Sequence, residues 1–280
     1  MAVHFIIDAG CDLTVDQARD LGVTLIPMTI SFADKEYKAG VDISTDEFYD
    51  MLVSGKELPS TSQPTPYAYE CAYQQIRANG DEAVVLCLSS VLSGTYQSAV
   101  IAAEGYEDCI YVIDTKAVTV AQRLLLDYGM TLKEQGLSAK EIAAELECQK
   151  ENLCIYGAVE TLEYLIRGGR LSKAAGAVGS MLGIKPILMI KDGALIVAGK
   201  ARGVKAAITA TKKFIEDNQV DFSMPYALGY TGNDASVIEP FQTALDSNWN
   251  LPYVPVYKVG SAVGTHAGPG LYLAAFFKKS

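Results

Sequence analysis

The run Ala83-Val84-Val85-Leu86-Cys87-Leu88 contains no polar position, and nothing else in the chain restricts the architecture as much. A strand with one wet face alternates apolar and polar residues. An unbroken apolar run marks a strand covered on both faces, as in a parallel sheet flanked by helices. The surrounding chain supports this reading: 3–7, 24–32 and 110–114 read as further strands, and 14–21, 44–54, 66–79, 96–104 and 118–134 as helices. Thr65 and Pro66 suit the N-cap and first position of one helix. Ser138 and Glu141 have capping-box spacing at the start of another that runs to about residue 152.

After a further strand over 153–159 the rhythm changes. A helix rich in small residues is expected over 174–182, where Gly176, Gly179 and Gly183 permit close packing. The Asp192-Gly193 pair between two apolar runs predicts a tight hairpin, and so antiparallel pairing. A final strand is expected over 271–277. The fold class is therefore α/β in two domains: 1–158 with a mostly parallel sheet flanked by helices, and 159–280, an α/β unit with antiparallel strands. A ligand cleft is expected between them. The N-terminus has no basic segment and reaches Asp8 too early for a signal peptide, and no apolar run approaches the roughly 20 residues that span a bilayer. A soluble, cytoplasmic protein is expected.

The net charge of −10 argues against general nucleic-acid binding. The charge is uneven, however: ten basic residues against one acid lie between Tyr164 and Ile215. Such a segment is either a set of solvated helix faces or a positive surface that docks on an acidic partner or transiently on an anionic membrane. Six cysteines without a C-x-x-C pair read as mostly buried thiols in a reducing compartment. With two histidines far apart, no metal site is expected. No phosphate-binding glycine loop follows a strand, so no nucleotide cofactor is expected either.

Candidate chemistry gathers in three places. His266 lies in Gly260-Ser-Ala-Val-Gly-Thr-His-Ala-Gly-Pro-Gly270, a stretch whose glycines let backbone approach a ligand. His4 reads as an ordinary strand-edge residue. Thr61 and Ser62 occupy a proline-stiffened loop before a helix N-terminus, where hydroxyls and N–H groups can meet an anion, or simply cap a turn. Ser93 and Gly94 sit at a strand-to-helix junction, the usual ligand position in open α/β sheets. Val91 and Thr95 stand where a nucleophile elbow needs glycines. An esterase or thioesterase with Ser93 as nucleophile, His266 as base and Asp8 or Asp114 as orienting acid is the alternative reading.

Together, Thr61-Ser-Gln-Pro64, Leu92-Ser-Gly-Thr-Tyr-Gln-Ser98, Leu165-Ile-Arg-Gly-Gly-Arg-Leu-Ser172 and Val263-Gly-Thr-His-Ala-Gly-Pro-Gly270 resemble the signature stretches of the DegV family, bacterial fatty acid binding proteins. The resemblance implies a two-domain DegV-like fold with a long-chain fatty acid buried between the domains. It implies that Thr61, Ser62, Ser93, Gly94 and His266 surround the carboxylate, and that Arg170 and Arg202 lie at the mouth or face a partner. That partner would be the catalytic subunit of a fatty acid kinase, which uses ATP to make acyl-phosphate for phospholipid synthesis; the carrier itself would not be an enzyme. The family usually has Asp-Ser after the first strand, whereas Ala9 follows Asp8 here, so one hydroxyl of that wall is missing.

Overall fold

The computed structural model describes residues 1–33, 35–55, 57–172, 183–249 and 253–279. The first half runs through β1 (Val3–Asp8), α1 (Val15–Asp20), β2 (Val23–Ile26), β3 (Thr29–Phe32), β4 (Lys35–Lys38), α2 (Thr45–Ser54), β5 (Ser60–Ser62) and α3 (Pro66–Ala78). It continues through β6 (Glu82–Cys87), α4 (Thr95–Ala102), β7 (Ile110–Asp114), α5 (Val120–Glu134) and α6 (Ala139–Gln149). Strands β2-β1-β6-β7 form a wholly parallel sheet. The apolar run is its β6, and alternate residues serve opposite faces. Val84 and Leu86 join the core beneath α5 and α6, while Val85 and Cys87 join the one that holds Tyr69 and Tyr73 of α3.

The expected strand over 24–32 is two strands in two sheets. Pro27 has no N–H to donate and divides them: β2 stays in the parallel sheet, and β3 turns away to pair with β4 and β5. The Thr61-Ser62 segment, expected as a loop, is therefore a strand, with Thr61 opposite Ile30. Thr65 does occupy the N-cap of α3 with Pro66 first in the helix, but its side chain makes no cap hydrogen bond. The Ser138–Glu141 capping box forms as expected.

The remaining elements are β8 (Leu153–Ala158), α7 (Glu163–Arg167), β9 (Ile184–Lys191), β10 (Ala194–Arg202), α8 (Val204–Asp217), β11 (Tyr226–Tyr230), α9 (Glu239–Trp249), β12 (Val256–Lys258), α10 (Ser261–Ala267) and β13 (Tyr272–Phe277). Six strands form one mixed sheet in the order β10-β9-β8-β13-β11-β12. The hairpin turns at Asp192 and Gly193, with φ of 50° and 79°. β8 lies between β9 and β13, so its pairing assigns it to this sheet and not to the first half. The glycine-rich segment is helical over 261–267. The helix expected over 174–182 lies outside the described residues.

Helix α5 joins the two sheets. Nine of its residues are buried, and its Val120, Leu124 and Leu125 share one core with Phe5 and Leu86 of the parallel sheet and Leu273 and Ala275 of the mixed sheet. Its first two turns, residues 120–126, are buried at every position, as an interior layer requires. Gly229 of β11 packs against this helix, and an added Cβ would lie 2.7 Å from Val120 Cγ2. Gly229→Ala should therefore cost about 1–3 kcal/mol in urea unfolding, the usual penalty for overpacking a filled core; a change under about 0.5 kcal/mol would contradict this close packing.

Candidate functional site

Between the sheets lies a cavity with about 860 Å³ of empty space, including its opening. Its walls come from both halves of the chain: Gly10 after β1, Leu88 and Leu92 after β6, Ile155, Leu188 and Met189 from the mixed sheet, and Ala262, Val263 and His266 from α10. Most of the lining is apolar. Thr61, Ser93, Thr119, Arg170 and His266 are its polar side chains.

Thr61 Oγ1 and His266 Nε2 stand 2.7 Å apart, across 205 residues of sequence. Nδ1 of the same ring is buried and has no hydrogen-bond partner among the described residues. Gly168 lies against it, and a Cβ there would be 2.2 Å from Nδ1. Burial, with a smaller contribution from the charge of Arg170, holds the His266 pKa down at about 4, so the ring is neutral at pH 7. A buried N–H without an acceptor is rarely tolerated, which favours the proton on Nε2. His266 then donates to Thr61, and the Thr61 hydroxyl keeps its own proton to offer to a ligand.

Ser93 Oγ lies 2.8 Å from Thr95 Oγ1 and accepts from the Thr95 N–H at 3.3 Å. With an acceptor role already filled, its proton too can point into the cavity. Arg170 donates from Nε to Leu92 O at 3.2 Å and from a terminal nitrogen to Gly168 O at 2.6 Å. It thus braces both loops that meet at the polar end.

The polar pairing is not that of a catalytic triad. His266 bonds Thr61 and Ser93 bonds Thr95. Asp8 is fully buried and accepts from Gly10 N–H, Leu88 N–H and Gln122 Nε2; desolvation nevertheless pushes its pKa up to about 6. Asp114 accepts from Ser90 and from Lys116 N–H. Both carboxylates tie loops at strand ends.

Two of the residues expected around the carboxylate stand elsewhere. Ser62 is exposed and does not line the cavity, because neighbouring residues of a strand face opposite ways. Gly94 is also absent from the lining and makes room for Gln63, whose Oε1 would lie 2.0 Å from an added Cβ. Arg202 is exposed at the end of β10 and does not line the cavity. Of the other basic residues in 164–215, Arg167, Lys185, Lys212 and Lys213 pair with nearby acids; Lys173 lies outside the described residues. Cys148 is exposed, in contrast to the buried Cys11, Cys87 and Cys109.

Thr61, Arg170 and His266 also border a second, polar groove with about 950 Å³ of empty space, open solvent included, to which Ser60, Tyr164 and Arg167 contribute. The three shared side chains form the partition between the apolar cavity and this groove. Among the described residues no helix is long and apolar enough to cross a membrane.

The model of the DegV family of uncharacterised proteins matches residues 2–279. The chain belongs to the DegV family. A DegV domain-containing protein of Caldanaerobacter subterraneus is 32% identical over 269 residues, covering 95% of each chain. A Thermus thermophilus DegV family structure, described as showing fatty acid binding, superposes with a TM-score of 0.88 at 29% identity and covers 99% of this chain and 100% of that one. A stearic acid-binding protein of Eubacterium ventriosum gives 0.85 at 28% identity, with 99% of each chain covered. The resemblance in the four sequence stretches thus extends over almost the whole chain.

A depressed histidine pKa has a measurable sign. Between pH 6.5 and about 4 the unfolded chain binds a proton at His266 that the native chain does not, so this group's contribution to stability falls as the pH drops through that window. Imidazole NMR resonances assigned with a His266→Gln variant should show a neutral ring down to about pH 5. Titration near 6.5 would contradict the buried, neutral geometry.

Proposed function

We propose that this DegV protein binds a long-chain fatty acid, its chain in the apolar cavity and its carboxylate at Thr61 and Ser93, and presents that carboxylate to an ATP-dependent fatty acid kinase for acyl-phosphate formation. The observation that carries the reading is the Thr61–His266 pair at the polar end of an otherwise apolar cavity. Fatty acid binding by the Thermus thermophilus and Eubacterium ventriosum relatives supports it.

The energetics divide between tail and head. Burying an acyl chain gains about 0.8 kcal/mol per CH₂, so roughly sixteen carbons supply about 12 kcal/mol before ordering costs. A buried carboxylate must be hydrogen-bonded or become neutral, and two hydroxyl donors supply that need. The neutral imidazole fixes one of them without adding a counter-charge. The outer groove behind Thr61, Arg170 and His266 gives a partner a polar approach to the same carboxylate.

Native mass spectrometry of the purified protein should reveal a bound acid that denaturation releases; no acid, and no uptake of added palmitate or oleate, would overturn the reading. Thr61→Val and Ser93→Ala should each weaken binding about tenfold, the value of one hydrogen bond to a charged group, and leave binding of the matching fatty alcohol less affected. Arg202→Glu should lower phosphorylation of the bound acid by the kinase while fatty acid retention stays unchanged. Equal loss of both would place Arg202 in the binding site.

A further inference from the structure

Helix α10 carries His266, yet it has no side-chain cap of its own. Gly260 occupies its N-cap position. The Gly260 N–H donates to Asp12 Oδ1 at 2.8 Å, from a residue 248 positions earlier. The other oxygen of that carboxylate accepts from the Thr119 hydroxyl. Asp12 and Thr119 both have positive φ, 64° and 58°, a conformation that non-glycine residues hold only where their surroundings enforce it. The Thr119 N–H donates to Gly10 O at 2.7 Å. Asp12 and Thr119 are buried, and Gly10, Thr119 and α10 all contribute to the cavity wall.

One carboxylate therefore ties together three segments of the ligand cavity. A seven-residue helix is too short to be stable alone, so its position depends on what holds its ends. Tyr49 assists from the side, donating to Val259 O at 3.0 Å and packing where Gly264 has no side chain. We infer that Asp12 is a positioning residue for the carboxylate site: by clamping the Gly260 amide to Thr119, it sets α10 so that His266 meets Thr61. The inference rests on the fatty acid reading above and extends it to a residue that does not line the cavity.

The clamp needs acceptor geometry more than charge. Desolvation pushes the Asp12 pKa up to about 7, and a protonated acid can still accept from Gly260 while Thr119 turns to accept its proton. Asparagine reproduces that pattern, with one oxygen to accept and one amide to donate. Alanine leaves both partners unmet.

The test follows transfer of a fluorescent long-chain fatty acid from loaded protein to phosphatidylcholine vesicles, with the His266 resonances of the ligand-free protein as a second readout. Asp12→Ala should speed dissociation about tenfold and move the His266 titration up toward 6.5, and Asp12→Asn should recover most of both. If Asp12→Ala does not fold, Thr119→Ala, which removes one arm of the clamp, should shift both readouts in the same direction. A fall in urea midpoint with dissociation and titration unchanged would reduce Asp12 to a structural residue and overturn the inference, and so would equal impairment by Asn and Ala. Failure of the unsubstituted protein to take up the fatty acid would instead overturn the binding reading, while the His266 titration would still test the clamp.

Discussion

A carboxylate at the end of an apolar cavity stays ionised only where hydrogen-bond donors meet it. On the proposed reading, that requirement accounts for how the polar residues of this DegV protein are arranged. On that reading two hydroxyls, those of Thr61 and Ser93, meet the carboxylate. His266, neutral through burial, faces Thr61 and leaves that hydroxyl free to donate inward. Arg170 is the nearby charge, and it braces Leu92 and Gly168 at the edge of the site.

The architecture brings the needed groups together by stacking two sheets on one helix. Because α5 is buried on most sides, loops from the carboxyl ends of β1 and β6 approach the mixed sheet closely enough to share a cavity with it. Fully buried Asp8 holds the turn after β1 and the one after β6 with a single carboxylate. Asp12, four residues later, does the same between α5 and the start of α10. Polar anchors of this kind sit where backbone leaves regular structure and would otherwise have N–H groups without acceptors.

Much of the fold was legible because it depends on local pattern. The apolar run at 83–88, the Ser138–Glu141 spacing and the Asp192-Gly193 turn each state a local requirement that the chain meets. The pairing of β8 with β9 and β13 was not legible, since a buried antiparallel strand and a buried parallel one read alike. Thr61, Ser93, Arg170 and His266 were legible through the motif resemblance and do line one cavity. Ser62 and Gly94 share those motifs, but strand alternation and the side chain of Gln63 place them outside the lining. The helix over 261–267 was hidden by its glycines, one of which makes room for Tyr49. Asp12 and Thr119 gave no signal in sequence, because their roles depend on contacts more than a hundred residues away.

The proposed ligand lies with its tail among the apolar residues and its carboxylate at the Thr61–His266 partition. A crystal structure of the protein loaded with a single defined fatty acid tests this orientation most directly. The expected result is a carboxylate oxygen within hydrogen-bonding distance of Thr61 Oγ1 and another near Ser93 Oγ, with the acyl chain running past Leu188 and Met189. A fatty acid bound in the reverse direction, or outside this cavity, would contradict it.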